Sequence, residues 1–436
     1  MTIMTFNRII LFLALLFLSF TSMAQGTISA EIRPRTEYNH GVKALAFEDQ
    51  EPGLFTSQRS RLNFGYTSPS YDLYVCLQDI RTWGNTSQLV VADGAFSSIH
   101  EGWALARLNE RLSLKLGRQE INLDDQRIFG AVAWAQQARS HDAALLQYQD
   151  DSAGIKMQFG VAYNQEGPNL IGNVYRIPKS YKTFQYLWFH KDFKHLNLSV
   201  LALNLGQDAV KRNSHATLFN QTLGFRTSYK KEKLKWNLAF YQQLGLTGDT
   251  LETQLNAQLL SLDASFSLSS KLEGTLGFEY LSGQSETEAI NTADYTETLR
   301  SFNPYFGTNH KFNGVMDYFY VGNHAGSVGL VDLYAKLAYK EEKWKTSLAV
   351  HSFSAAADVL DRTKLQEDNT VAAMSSGLGT EIDITFGTNL VKGVALDLGY
   401  SQMLGTETLV AIRGGSTSAI SNWAYAMFTF NPSFLQ

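Results

Sequence analysis

Residues Gly117–Asp142 read GRQEINLDDQRIFGAVAWAQQARSHD. The stretch carries Arg118, Arg127 and Arg139 with Asp124, Asp125 and Asp142 interleaved, and that much charge is too polar to cross a hydrocarbon layer. On either side of it the chain changes character. Downstream, Ile155, Met157, Phe159, Val161 and Tyr163 alternate with Lys156, Gln158, Gly160, Ala162 and Asn164. A period of two marks a strand with one apolar face. The flanks therefore read as strands of a tube, and the charged stretch as a piece folded into its wall or mouth.

The same alternation recurs along the chain. Leu62, Phe64 and Tyr66 oppose Arg59, Arg61 and Asn63; Val394, Leu396, Leu398 and Tyr400 oppose Ala395, Asp397, Gly399 and Ser401. Eighteen such runs fit, at about 28–39, 57–67, 71–83, 99–108, 111–120, 140–149, 155–165, 181–190, 196–206, 217–229, 234–244, 254–268, 272–282, 330–340, 343–353, 377–388, 393–403 and 421–431. Alternation alone fits a soluble β-sandwich as well as a membrane barrel. Connection lengths separate the two. Short turns such as Ser68-Pro69, Asn109-Glu110 and Glu341-Glu342 follow the even-numbered runs. Long connections, at 40–56, 84–98, 121–139, 166–180, 207–216, 245–253, 283–329, 354–376 and 404–420, follow the odd ones. Short turns at one rim and long loops at the other are how outer-membrane barrels are built. The expected fold is all-β: a transmembrane antiparallel barrel of about 18 strands.

Composition agrees. The 436-residue chain is 12% aromatic, with 33 Gly, 7 Pro and a formal charge of −4. Arg8, an apolar run from Ile9 to Phe20 and then Ser22-Met23-Ala24 predict a signal peptide over 1–24, leaving 25–436 as one barrel domain. Beyond that run nothing approaches the ~20 apolar residues of a membrane helix. Cys76 is the sole cysteine, so no disulfide framework is available.

A barrel this wide is not filled by its own wall side chains. Function then rests on charges lining the bore and on loops narrowing it. Ten of the sixteen arginines after residue 24 precede residue 140. Alternation turns Arg33, Arg35, Arg59 and Arg61 inward from adjacent strands, together with Glu31 and Glu37. Forked, permanently charged guanidinium groups match carboxylates, and an Arg-lined constriction favours anions. The alternative is that these arginines pair with local acids and brace the wall.

The pattern Gly117-Arg118-Gln119, Asp124-Asp125-Gln126-Arg127, Gly130, Trp134, Arg139 and Asp142 resembles the alginate-export porin family. So does Tyr305-Phe306-Gly307-Thr308-Asn309-His310-Lys311-Phe312-Asn313-Gly314 with Asp317-Tyr318-Phe319. The resemblance implies an eighteen-stranded outer-membrane barrel with an electropositive bore that conducts an acidic polysaccharide. Arg118, Arg127 and Arg139 would line its wall or constriction, with Asp124, Asp125 and Asp142 fixing their geometry. Acids on the later strands, including Asp263, Glu279, Glu381 and Asp383, make the lining one-sided.

Other chemistry is poorly supported by sequence. No Gly-x-Ser-x-Gly occurs and no His is placed by a distinctive Ser, which argues against an enzyme. His310, Asp317 and His324 share one loop but match no metal spacing. Most tryptophans suit an interfacial girdle or wall packing; Trp134, within the polar stretch, is the exception and a candidate bore residue. No cofactor and no nucleic-acid partner is called for. The expected partners are outer-membrane lipid and an anionic oligo- or polysaccharide or small polar solutes, passing by diffusion. The competing expectation is a surface-binding barrel whose loops plug the bore.

Overall fold

The structure, a computed structural model, describes residues 25–89, 97–173, 180–211, 214–248, 252–308, 310–320, 324 and 326–435. The expected signal peptide lies outside them. Among the described residues, eighteen long strands form one antiparallel sheet: β1 (Gln25–His40), β2 (Gly53–Thr67), β3 (Tyr71–Thr82), β4 (Ser97–Arg107), β5 (Leu112–Gln119), β6 (His141–Asp150), β7 (Ile155–Tyr163), β8 (Thr183–Asp192), β9 (Leu196–Lys211), β10 (Ser214–Lys231), β11 (Leu234–Thr247), β12 (Thr253–Ser267), β13 (Leu272–Leu281), β14 (Leu330–Lys340), β15 (Trp344–Ser354), β16 (Gly377–Val391), β17 (Val394–Gly405) and β18 (Ser421–Phe430). Each pairs with the next. β18 pairs back onto β1 from Ile32↔Phe430 to His40↔Asn422, which closes the sheet. Closure leaves no edge to satisfy in lipid. No helix among the described residues is long and apolar enough to cross a membrane.

All eighteen runs expected from alternation are strands. Two expected long connections differ. β9 and β10 extend past their apolar portions and pair out to Lys211↔Ser214, and β11 and β12 pair out to Thr247↔Thr253. Beyond the bilayer both faces of a hairpin meet water, so strand continues where apolar alternation stops. The chain also runs past the terminal aromatic strand. Pro432 supplies no N–H to the ladder and breaks it, and Ser433–Leu435 then resumes pairing beside Ile28 and Ser29.

The barrel is turned inside out relative to a soluble sandwich. Ile32, Leu62, Phe159, Leu276 and Ile384 are exposed on its outer face, while Arg33, Arg59, Asn220, Gln243 and Glu381 are buried within. At the short-turn rim, outward aromatics form a girdle: Tyr66 with Tyr71 (5.7 Å), Tyr229 with Trp236 (5.8 Å) and Tyr339 with Trp344 (5.4 Å). Amphipathic rings of this kind sit where lipid meets water. Trp188 and Trp423 are not part of the girdle; both face the bore and contact folded-in loops.

Candidate functional site

Two connections fold into the bore. The first leaves β5 at Glu120 and returns to β6 after Ser140. The second is the Ser301–Tyr320 part of the β13–β14 connection. Both bury apolar side chains: Ile121, Ile128 and Phe129 in the first, Phe302, Met316 and Tyr318 in the second. They meet in the interior. Phe129 and Phe306 form a β-bridge, Gly130 N–H donates to Phe306 O at 2.8 Å and Thr308 N–H to Gln126 O at 2.9 Å. A Cβ on Gly130 would collide with Thr308 Oγ1, so glycine permits the approach. The backbone bends sharply to achieve this. Val132 sits at φ 53°, a left-handed conformation that is costly for a β-branched residue.

The arginines of β1 and β2 face inward, as alternation requires, with Arg33 directly opposite Arg59. They do not line open water. Arg33 donates to Ala133 O (2.8 Å), Trp134 O (3.0 Å) and Gln136 Oε1 (2.9 Å). Arg35 donates to Trp134 O (2.8 Å) and to Glu37 (2.8 Å), and its guanidinium lies over the Trp134 ring. Arg59 pairs with Glu31 (2.6 Å) and reaches Ala133 O at 3.3 Å. Arg61 is half-buried, donates Nε to Gln78 Oε1 (2.8 Å) and leaves Nη2 without a partner. Bracing therefore takes up Arg33, Arg35 and Arg59. What they brace is chiefly the backbone of the first folded-in segment.

The other charges of that segment reach the far wall. Arg127 is bound in a two-pronged contact by Glu279 of β13, with Nη1 to Oε1 at 2.7 Å, and lies over Phe312. Asp125 pairs with Arg226 of β10 at 3.4 Å. Asp124 accepts from Trp188 Nε1 at 3.1 Å, and burial raises its carboxyl above the usual range. Arg139 donates to Gly307 O at 2.8 Å; burial lowers it to about 10, so it stays charged at neutral pH. Trp134 stacks on His310 (centroids 4.2 Å apart) and meets Trp423 and Tyr425 edge-on.

Arg118 and Asp142 are a correction. They pair with each other at 2.9 Å, both exposed, on the outside of the barrel. β5 persists through Gln119 and β6 begins at His141, so Arg118 shares its face with exposed Leu116, and Asp142 with exposed Leu146. Neither lines the bore.

The second segment is held by a wall of opposite sign. Glu381 on β16 is buried and accepts the N–H groups of Val315 (2.6 Å) and Met316 (2.7 Å). Nearby, Asp332 binds His351 Nδ1 at 3.0 Å and accepts from Asn313 at 3.2 Å. Beside this contact is a cavity of about 340 Å³, whose charged lining includes Asp263, Glu279, Asp332 and Asp383 with Arg127, Lys311, Lys336 and His351. His310 and Asp317 lie 3.4 Å apart, whereas His324 turns away to Phe319 O at 3.0 Å, so the three do not form one ligand set.

Alternation turned Arg33, Arg35, Arg59 and Arg61 inward, but the clasping role of Glu381 had no signal of its own, because its partners are backbone N–H groups.

A closed eighteen-stranded barrel with an apolar outer belt and charged loops folded into a polar interior has the fold of the outer-membrane porins, which span the outer membrane of Gram-negative bacteria. Among solved structures, the chain is similar to OprD from Pseudomonas aeruginosa (12% identity over 94% of each chain, TM-score 0.62). It is also similar to OccK3 (OpdO) of that organism (12%, 94% of this chain and 96% of that one, 0.61) and to Acinetobacter baumannii OccAB4 (11%, 94% and 99%, 0.59). At such identities the likeness is one of fold. No family model and no curated protein sequence matches the chain.

Proposed function

We propose that the chain is an outer-membrane diffusion channel for small polar solutes. The observation that carries this reading is the cavity of about 340 Å³ against the second segment, lined by four carboxylates, three cationic side chains and His351. A barrel meant only to be plugged gains nothing from leaving this volume open between charged groups, several of which are already paired across it, Arg127 with Glu279 and His351 with Asp332. The wall arginines are engaged in holding carbonyls, so the lining offered to a solute leans acidic. A solute with a positive or zwitterionic group fits it best.

The finer reading, an alginate-export-like channel for anionic polysaccharide, needs a track of uncommitted arginines. Only Arg61 in the basic patch keeps a buried donor without a partner, which gives that reading less support. Planar-bilayer conductance of refolded protein in a salt gradient tests both. The expected result is conductance with a reversal potential on the cation-preferring side and no block by oligouronates. Anion preference with oligouronate block would replace it with the polysaccharide reading. Absence of conductance would overturn both in favour of a plugged, surface-binding barrel.

A further inference from the structure

β4 contains an irregularity that the channel reading does not use. Along the β3–β4 pairing, Cys76 faces Glu101 and Leu77 faces Ile99, so His100 is an extra residue with no partner of its own. In a regular strand His100 and Glu101 would point to opposite faces. A bulge re-aims such a residue, and here both side chains turn into the barrel. His100 is buried, with its side chain 3% exposed. Glu120, where the first folded-in segment leaves β5, completes the group. His100 Nε2 lies 2.8 Å from Glu120 Oε1. One ligand atom from each of His100, Glu101 and Glu120 lies within 4.8 Å of the others.

Surrounding contacts hold these groups in place. Glu101 Oε2 accepts from the Glu120 N–H at 3.0 Å and from Trp103 Nε1 at 3.2 Å. Asn122 donates to Glu120 Oε2 at 3.4 Å. Among the described residues, neither carboxylate has a Lys or Arg in ion-pair contact; the nearby Lys115 ammonium lies over the Trp103 ring at 3.9 Å. Two carboxylates thus converge on one imidazole without an ion-paired Lys or Arg; Lys115 acts on both, and Arg61 on Glu120, only through space.

We infer that His100, Glu101 and Glu120 form a binding site for a divalent first-row metal ion of the zinc class, at the root of the first folded-in segment. One imidazole and two carboxylates suit such an ion, with remaining positions left to water. Metal–ligand bonds of about 2.1 Å place tetrahedral ligand atoms roughly 3.4 Å apart, so side-chain movement of about an ångström closes the set. Glu120 is 24% exposed, which gives the ion a route in. The partners of Glu101, the Trp103 indole and the Glu120 N–H, act as the outer shell that orients a ligating carboxylate. The consequence is mechanical: the ion would clamp the point where the segment departs from the wall.

The test is isothermal titration of Zn²⁺ into the refolded, untagged full chain in detergent micelles, with bound metal counted after dialysis. One ion per chain is expected. Glu120→Gln and His100→Ala should each weaken binding by at least about tenfold, and His190→Ala, whose His190–Asp192 pair lies elsewhere, should leave it unchanged. Glu120→Gln preserves shape, so it reports on the site even if His100→Ala fails to fold. Zn²⁺ binding equal in wild type and Glu120→Gln, or Ca²⁺ binding as tight as Zn²⁺ and indifferent to His100→Ala, would overturn the site. No arm reads conductance, so the result stands apart from the channel reading.

Discussion

On the β1–β2 wall, Arg33, Arg35 and Arg59 donate to the carbonyls of Ala133–Gln136. Three strands round the barrel from β1, Glu381 of β16 accepts the N–H groups of Val315 and Met316. Both walls clasp a folded-in segment by its backbone, one with cations and one with an anion. The arginine side is sealed: three side chains spread over a run of carbonyls, with Trp134 packed against Arg35. On the acidic side Glu381 takes two N–H groups, Asp332 takes the Asn313 amide, and a cavity remains beside them. A peptide group can be gripped from either end, and the number of grips decides whether the contact closes the space or leaves room for a solute.

The comparison breaks most sharply if the arginines are removed. The double substitution Arg33→Ala with Arg59→Ala strands several buried carbonyls and the Glu31 carboxylate, and should cost about 4 kcal/mol, read as a lowered unfolding midpoint in micelles. Single-channel conductance should rise as the first segment comes free. Unchanged conductance would mean the segment is held by its apolar contacts alone. Next comes Glu381→Ala, which orphans two N–H groups and should cost about 2 kcal/mol. Hydrogen exchange should quicken at Val315 and Met316 and stay slow at Ala133–Gln136. Equal quickening in both places would show the two clasps to be one unit.

A drop in pH should act on the second segment. Burial pulls His324 down to about 4 from an ordinary 6.5. The unfolded segment therefore binds a proton more readily than the folded one. The stability His324 contributes is complete above about pH 6.5 and falls as pH drops from there through 4. Exchange of Phe302–Phe319 should speed up at pH 5 relative to pH 7.5, and His324→Gln should flatten that response. The smallest effect belongs to Arg118→Ala. Its pair with Asp142 is exposed, so its loss should cost under about 1 kcal/mol and leave ion selectivity unchanged. A shifted reversal potential would return Arg118 to the bore.

The walls were more legible in the sequence than the contacts between them. Strand alternation located every barrel strand and turned Arg33, Arg35, Arg59 and Arg61 inward, because a period of two leaves no freedom of facing. The polar character of 117–142 identified the folded-in segment. The runs 111–120 and 140–149 already placed Arg118 and Asp142 on strands; Leu112, Leu114 and Leu116 continue their alternation into Arg118, so that arginine faces out, although the family resemblance had put it in the bore. The engagement of the arginines was hidden because their partners are carbonyls, which every residue carries. His100 was hidden for a related reason. A bulge is defined by pairing between strands, and one strand read alone reports only that His100 and Glu101 point apart.

The union of the two folded-in segments also sets an order of assembly. Gln126 and Thr308 touch across 182 positions of chain, and Arg127 and Glu279 across 152. Contacts so distant in sequence form only after the intervening chain has surrendered its freedom. By then the eight strands from β6 to β13 must stand in register. The barrel is thus built wide and narrowed last, so a half-assembled wall never has to enclose its own constriction.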